Sequence, residues 1–177
     1  AQGKYPEAEA TSRRALAVTE KTLGPGHTNT AAALNRLAGV LQRQAKYADA
    51  EQLYRRALAI DEKAQGPGHP DLMIPLNNLG NVQQRQGKYA SAEEFYRRAL
   101  PIAEKSKGAG HPDVAMILNN LAVVSATQGK LTDAERLHQR ALAIRETALA
   151  AGHPELANSL NNLANVYKQQ GKNEEAY

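Results

Sequence analysis

The stretch from Pro70 to Gln86 carries Met73, Leu76, Leu79, Gly80 and Val82 among its apolar residues, and that from Tyr89 to Ser106 carries Tyr89, Ala92, Phe95, Tyr96, Ala99, Leu100 and Ile102. Steps of three and four put each set on one helix face, so the pattern predicts two amphipathic helices, A over roughly residues 70–86 and B over roughly 89–106. The two-residue alternation of a strand appears nowhere. The pattern then repeats. His27, His69, His111 and His153 are each 42 residues apart, and Gly3-Lys4, Ala45-Lys46, Gly87-Lys88, Gly129-Lys130 and Gly171-Lys172 keep the same step without insertion or deletion. A period of that size built from one helix pair marks a solenoid. Pro70-Asp71, Pro112-Asp113 and Pro154-Glu155 supply helix starts, with proline in the first turn and a carboxylate beside the positive end of the helix dipole.

The expected organisation is a single array over residues 1–177: a B helix of a truncated repeat at 1–27, full repeats at 28–69, 70–111 and 112–153, and a partial repeat at 154–177. Ala38, Gly80, Ala122 and Ala164 in the A helices, with Ala50, Ala92, Ala134, Ala57, Ala99 and Ala141 in the B helices, are the small residues that allow close helix approach. Leu37, Leu79, Leu121 and Leu163 fill the space between. Each hairpin buries its apolar face only on its neighbours, so the two ends, which lack a polar capping repeat, are expected to be open for head-to-tail stacking of copies. Pro75 and Pro101 stand where the other repeats have helix-compatible residues, and each is expected to kink its helix.

Composition narrows the function. The 177 residues are 42% hydrophobic and 23% charged, and contain no Cys. Mean hydropathy is −0.57, and no stretch approaches a membrane span. Without Cys, disulfides, thiol catalysis and cysteine-ligated zinc are excluded. The formal net charge of +4 favours acidic partners without requiring nucleic acid. A cytoplasmic setting is the expectation, with no membrane partner.

The phrases LNNLA, QGKY, AE, RALAI and GxGHPD, recurring across the chain, resemble the tetratricopeptide repeat, and with their 42-residue step they resemble its kinesin light chain branch. The resemblance implies an all-α, right-handed superhelical solenoid of stacked antiparallel helix hairpins, with the A helices lining a concave groove. On that geometry the exposed face of each A helix runs through Ala32, Arg36, Gly39 and Arg43; Ile74, Asn78, Asn81 and Arg85; Met116, Asn120, Val123 and Thr127; and Asn158, Asn162, Asn165 and Gln169. It also implies a role in which groove asparagines and basic residues hold short cargo peptides, acidic and with an aromatic anchor.

The asparagine pairs fit that role. Asn is a weak helix former because its amide competes with the backbone, yet Asn77-Asn78, Asn119-Asn120 and Asn161-Asn162 sit mid-helix once per repeat. An amide that both donates and accepts can hold the backbone of an extended peptide whatever its side chains. The second Asn of each pair is expected to point into the groove and the first to lie at its edge; the alternative is that they bridge neighbouring repeats. The candidate peptide site is therefore Arg36, Arg43, Asn77, Asn78, Asn81, Arg85, Asn119, Asn120, Asn158, Asn161, Asn162 and Asn165.

Other constellations carry less. The His ladder offers one nearby carboxylate per His and reads as turn and capping residues, so no metal and no cofactor are expected. His138 replaces Tyr54 and Tyr96 as a packing residue. The pairs Arg13-Arg14, Arg55-Arg56 and Arg97-Arg98 read as a solvated B-helix face, with Glu51 to Arg55 and Glu93 to Arg97 as i,i+4 partners. The few aromatics are committed to packing, which argues against single-strand nucleic-acid binding. No phosphate loop is present and nothing places a nucleophile beside a base, so no enzyme is expected.

Overall fold

The computed structural model describes residues 5–150 and 152–172, which contain eight α-helices and no strand. They are α1 (Tyr5–Leu23), α2 (Thr28–Arg43), α3 (Tyr47–Gln65), α4 (Met73–Arg85), α5 (Tyr89–Lys107), α6 (Pro112–Thr127), α7 (Leu131–Ala148) and α8 (Pro154–Gln170). The even-numbered helices are the A helices and the odd-numbered the B helices. The chain forms two compact units, residues 1–87 with α1 to α4 and residues 88–177 with α5 to α8. Inside each unit every helix packs on the next in sequence, the neighbour-only arrangement of a helical solenoid.

The linker histidines act as helix N-caps. Nδ1 of His27, His69, His111 and His153 accepts the backbone N–H two residues on, at 3.1, 3.3, 3.1 and 3.2 Å. Each thereby satisfies one of the N–H groups that the first turn of a helix leaves without a partner. At the A-to-B turn the chain closes the other helix end. The Lys46 N–H reaches Leu41 O at 3.0 Å and the Ala45 N–H reaches Gln42 O at 3.0 Å, which is the paired Schellman closure. Lys130 and Gly129 repeat it on Ser125 and Ala126. The closure needs a left-handed residue: Gly87 and Gly129 sit at φ 74° and 76°, and Ala45 is forced to φ 60°. A Cβ is disfavoured there, so Ala45→Gly is expected to stabilise the chain by about 0.5–1 kcal/mol, read as a raised urea midpoint. An unchanged or lowered midpoint would show that the turn tolerates the strain.

All the small residues named for close helix approach are buried except Ala164 of α8, which is half-buried. Ala38, Ala50, Ala57, Ala92, Ala99, Ala122, Ala134 and Ala141 are all fully buried, and Leu37, Leu79, Leu121 and Leu163 are 1, 0, 4 and 8% exposed. In the first unit Ala31 and Leu34 of α2 and Ala57 of α3 form one buried cluster, with Leu16 of α1 and Leu53 and Ile60 of α3 packed against it. Each fully buried Leu contributes roughly 1.5–3 kcal/mol.

The two prolines behave differently from each other and, for Pro75, from expectation. Pro75 is the third residue of α4, where helical N–H groups have no partner, so it does not kink the helix. The stretch before it instead tightens into a 3-10 turn over Pro70–Leu72, closed by the Leu72 N–H on His69 O at 3.0 Å, and α4 is 13 residues against 16 for α2 and α6. Pro101 lies inside α5 with its ring exposed, and α5 continues past it to Lys107.

A second, longer-range set of contacts repeats with the period. In the first unit Glu9 receives Lys46 Nζ at 2.9 Å. In the second, Glu93 receives Lys130 Nζ at 2.7 Å and Gln128 Nε2 at 2.8 Å, and Glu135 receives Lys172 Nζ and Gln170 Nε2, both at 2.9 Å. Each glutamate near the start of a B helix thus clamps the turn of the following hairpin. The same glutamates take the expected i,i+4 arginines: Arg13 on Glu9 at 2.8 Å and Arg97 on Glu93 at 2.6 Å, with Arg55 on Glu51 at 2.9 Å. Further along, Arg56 reaches Glu20, and Arg140 reaches Glu104, one B helix back, both at 2.6 Å.

Candidate functional site

The sequence-derived site residues are divided between the two units. In the first unit Arg36, Arg43, Asn78 and Arg85 line one cleft of about 740 Å³, together with Asn35, Gly39, Gln42, Tyr47 and Tyr54. Arg36 and Arg43 lie seven residues apart on α2, the spacing of one helix face. Arg43 and Arg85 occupy the last turns of α2 and α4. Gly39 lies beside the Tyr54 hydroxyl, which a Cβ at that position would meet at 3.5 Å, an ordinary contact. Tyr54 forms part of the floor, 2% exposed, with its hydroxyl donating to Gln42 Oε1 at 3.1 Å. Burial pushes this phenol up to about 12, with Arg43 pulling weakly the other way, so it remains a neutral donor.

Asn77 is buried, 5% exposed, rather than at a groove edge, while Asn81 is half-buried on the same helix. The remaining candidates belong to the second unit. Asn158, Asn161 and Asn165 are exposed, whereas Asn119, Asn120 and Asn162 are half-buried. There Asn162 Nδ2 donates to Asn119 Oδ1 at 3.0 Å, so the second Asn of one repeat bonds the first Asn of the repeat before it. The bridging alternative is therefore realised for this pair.

The first cleft differs in charge from a smaller hollow of about 190 Å³ in the second unit, lined by Arg97, Arg136, Arg140 and Asp133 among others. Arg97 and Arg140 are neutralised there by Glu93 and Glu104. Among the described residues none of Arg36, Arg43 and Arg85 has an ion pair, and no carboxylate lines their cleft. The sequence pointed to these arginines through the helical face and the tetratricopeptide resemblance that turns it toward a groove. Asn35, Tyr47 and Tyr54 were missed as cleft residues, since they come from the edge of α2 and from α3; the seven-residue stack of Tyr47 and Tyr54 on α3 was the available signal. No cluster of metal-ligating side chains occurs among the described residues.

The fold and the cleft define a helical-hairpin scaffold whose exposed faces are offered to other chains. The tetratricopeptide repeat family signature matches residues 1–63, 30–105 and 113–176, and the chain belongs to that family. Tetratricopeptide arrays mediate protein–protein contacts. Solved structures similar to it include BtubC (BKLC) from P. vanneervenii, 27% identical over 99% of this chain and 70% of that one, with a TM-score of 0.89. Another is a kinesin light chain-like protein of Podosopora anserina with nearly identical TPR-like repeats, 26% identical over 98% of this chain and 82% of that one, TM-score 0.85. MamA, 14% identical over 99% of this chain and 84% of that one with a TM-score of 0.71, shares the fold. No curated protein matches the sequence. Among the described residues no helix is long and apolar enough to cross a membrane.

Proposed function

We propose that the chain is a protein-binding scaffold that holds an extended, acidic segment of a partner in the cleft formed by α2 and α4. The observation that carries this reading is the set of three arginines around one cleft with no carboxylate to neutralise them. Charged groups left without partners at a concave surface favour an oppositely charged ligand. Asn78 supplies an amide to the ligand's backbone, which makes binding tolerant of side-chain sequence. Membership of the tetratricopeptide repeat family supports a protein as partner.

The test is fluorescence anisotropy with acidic, aromatic-containing peptides at low and moderate salt. Binding is expected to weaken with salt as the Debye length falls, and to weaken about tenfold or more on Arg43→Glu or Asn78→Ala with helicity unchanged. Affinity that ignores both salt and the charge reversal would remove the reading. A second reading, self-association, is favoured by α1, which buries none of its residues and exposes Val18 by 53% and Leu23 by 45%. Sedimentation decides it: mass that climbs with concentration and is lost on Val18→Glu supports association through this face, and a constant monomer mass rules it out.

A further inference from the structure

The first-unit cleft departs from the positions 84 residues on, two steps of the repeat, in a way that bears on what it holds. Asn119 and Asn162 satisfy each other in the second unit. Asn35 and Asn78 occupy the corresponding positions in the first, yet Asn35 Oδ1 is shut off from solvent with no hydrogen-bond partner, and Asn78 has no side-chain bond among the described residues. Buried polar atoms are ordinarily paired, so an orphan acceptor lining a cleft points to a donor that arrives with a ligand. The N–H of an extended backbone is such a donor.

We propose that this cleft reads a phosphorylated side chain on the bound segment, with Asn35 and Asn78 holding its backbone and Arg36, Arg43 and Arg85 its phosphate. This rests on the peptide-scaffold reading and names its ligand more closely. A single carboxylate satisfies one guanidinium fork. A phosphomonoester carries a charge of about −1.5 to −2 and three acceptor oxygens, and accommodates several forks at once. Three unpaired guanidiniums in a cleft of about 740 Å³ with no acidic lining match the second ligand in charge, in donor number and in room. Arginine is the side chain suited to this, because its planar fork matches phosphate geometry where lysine offers a point charge. Single-stranded nucleic acid fits less well: base stacking needs open rings, and the Tyr54 ring is buried with its hydroxyl committed to Gln42.

The experiment titrates the full chain with three labelled peptides identical but for one position, carrying phosphoserine, glutamate or serine. The phosphoserine peptide is expected to bind about tenfold more tightly than the glutamate peptide. That preference is expected to vanish in the Arg36→Gln, Arg43→Gln, Arg85→Gln triple variant and to shrink in Arg43→Lys, which keeps the charge and loses the fork. All three side chains are exposed, so circular dichroism should be unchanged; if the triple variant loses helicity, Arg43→Lys gives the answer alone. Equal affinity for phosphoserine and glutamate peptides would overturn the phosphate assignment and leave the scaffold standing. Absence of binding by any peptide would remove both. Inorganic phosphate competing at the same concentration as the phosphopeptide, or a single-stranded oligonucleotide binding more tightly than it, would overturn the assignment to a peptide.

Discussion

Acidification from pH 7 to about 4.5 is expected to remove roughly 2–3 kcal/mol of stability from the native chain through His138 alone, and His138→Leu is expected to abolish that part of the loss. His138 is 2% exposed and its Nδ1 has no hydrogen-bond partner. Burial, with the Arg145 charge nearby, pushes its value down from 6.5 to about 4. Between those values the unfolded chain binds a proton that the folded chain refuses. Stability from this group is therefore whole above about 6.5 and drains away as pH falls toward 4. The replacement keeps an apolar body of similar size and loses no bond to Nδ1, so at pH 7 the two proteins should agree within about 1 kcal/mol. Urea midpoints at both pH values measure the difference. Parallel pH profiles would mean that the imidazole reaches solvent on protonation.

Why a histidine stands there at all follows from the helix it faces. Tyr54, its equivalent in the first unit, has Gly39 beside its hydroxyl and Gln42 to accept from it. Val123 and Ala126 occupy the corresponding positions on α6, and neither side chain offers an acceptor.

Glu93→Ala is expected to cost about 2 kcal/mol, read from the urea midpoint. The Glu93 side chain is 6% exposed and holds Lys130, Gln128 and Arg97. Burial pulls its carboxyl upward, but the hydrogen bonds from Lys130 and Gln128 and the charges of Arg97 and Lys130 outweigh burial and hold it below 4.5. Its contribution is thus present above about pH 4.5 and lost as pH falls through the lowered value. Without the carboxylate, the Gln128 amide is left half-buried and unpaired, while Lys130 and Arg97, 42 and 61% exposed, return to water and limit the loss. Glu93→Gln keeps an acceptor and should recover about half. A negligible change for Glu93→Ala would show that the hairpin turn is held by its Schellman closure alone.

Much of the architecture was legible because it is local. Helix limits, the turn at Ala45 or Gly87, the capping role of His27 and its equivalents, and the Glu93 to Arg97 pair all depend on residues within a few positions of one another. The glutamate clamps were missed for the opposite reason: Glu93 and Lys130 are 37 residues apart, and only the packing of one hairpin on another makes them neighbours. Pro75 misled because helix phase was read without a start point; one turn further from the beginning it would have broken α4. Among the site residues, face geometry brought Arg36, Arg43, Asn78 and Arg85 to one cleft, while the burial of Asn77 depends on what its helix is packed against. The pairing of Asn119 with Asn162 was open in the sequence, since an amide serves a ligand and a neighbour equally well.

The clamps also bear on how such a chain can change its length. Both ends of each clamp are tied to the 42-residue step, as Glu93 with Lys130 and Glu135 with Lys172 show. Duplicating or deleting one whole step leaves every glutamate opposite its own lysine, whereas a single residue added to a linker puts the clamp that spans that linker out of register. Gene copies of this array can therefore drift in repeat number while the interior of the period stays frozen, and reach becomes the property most open to selection.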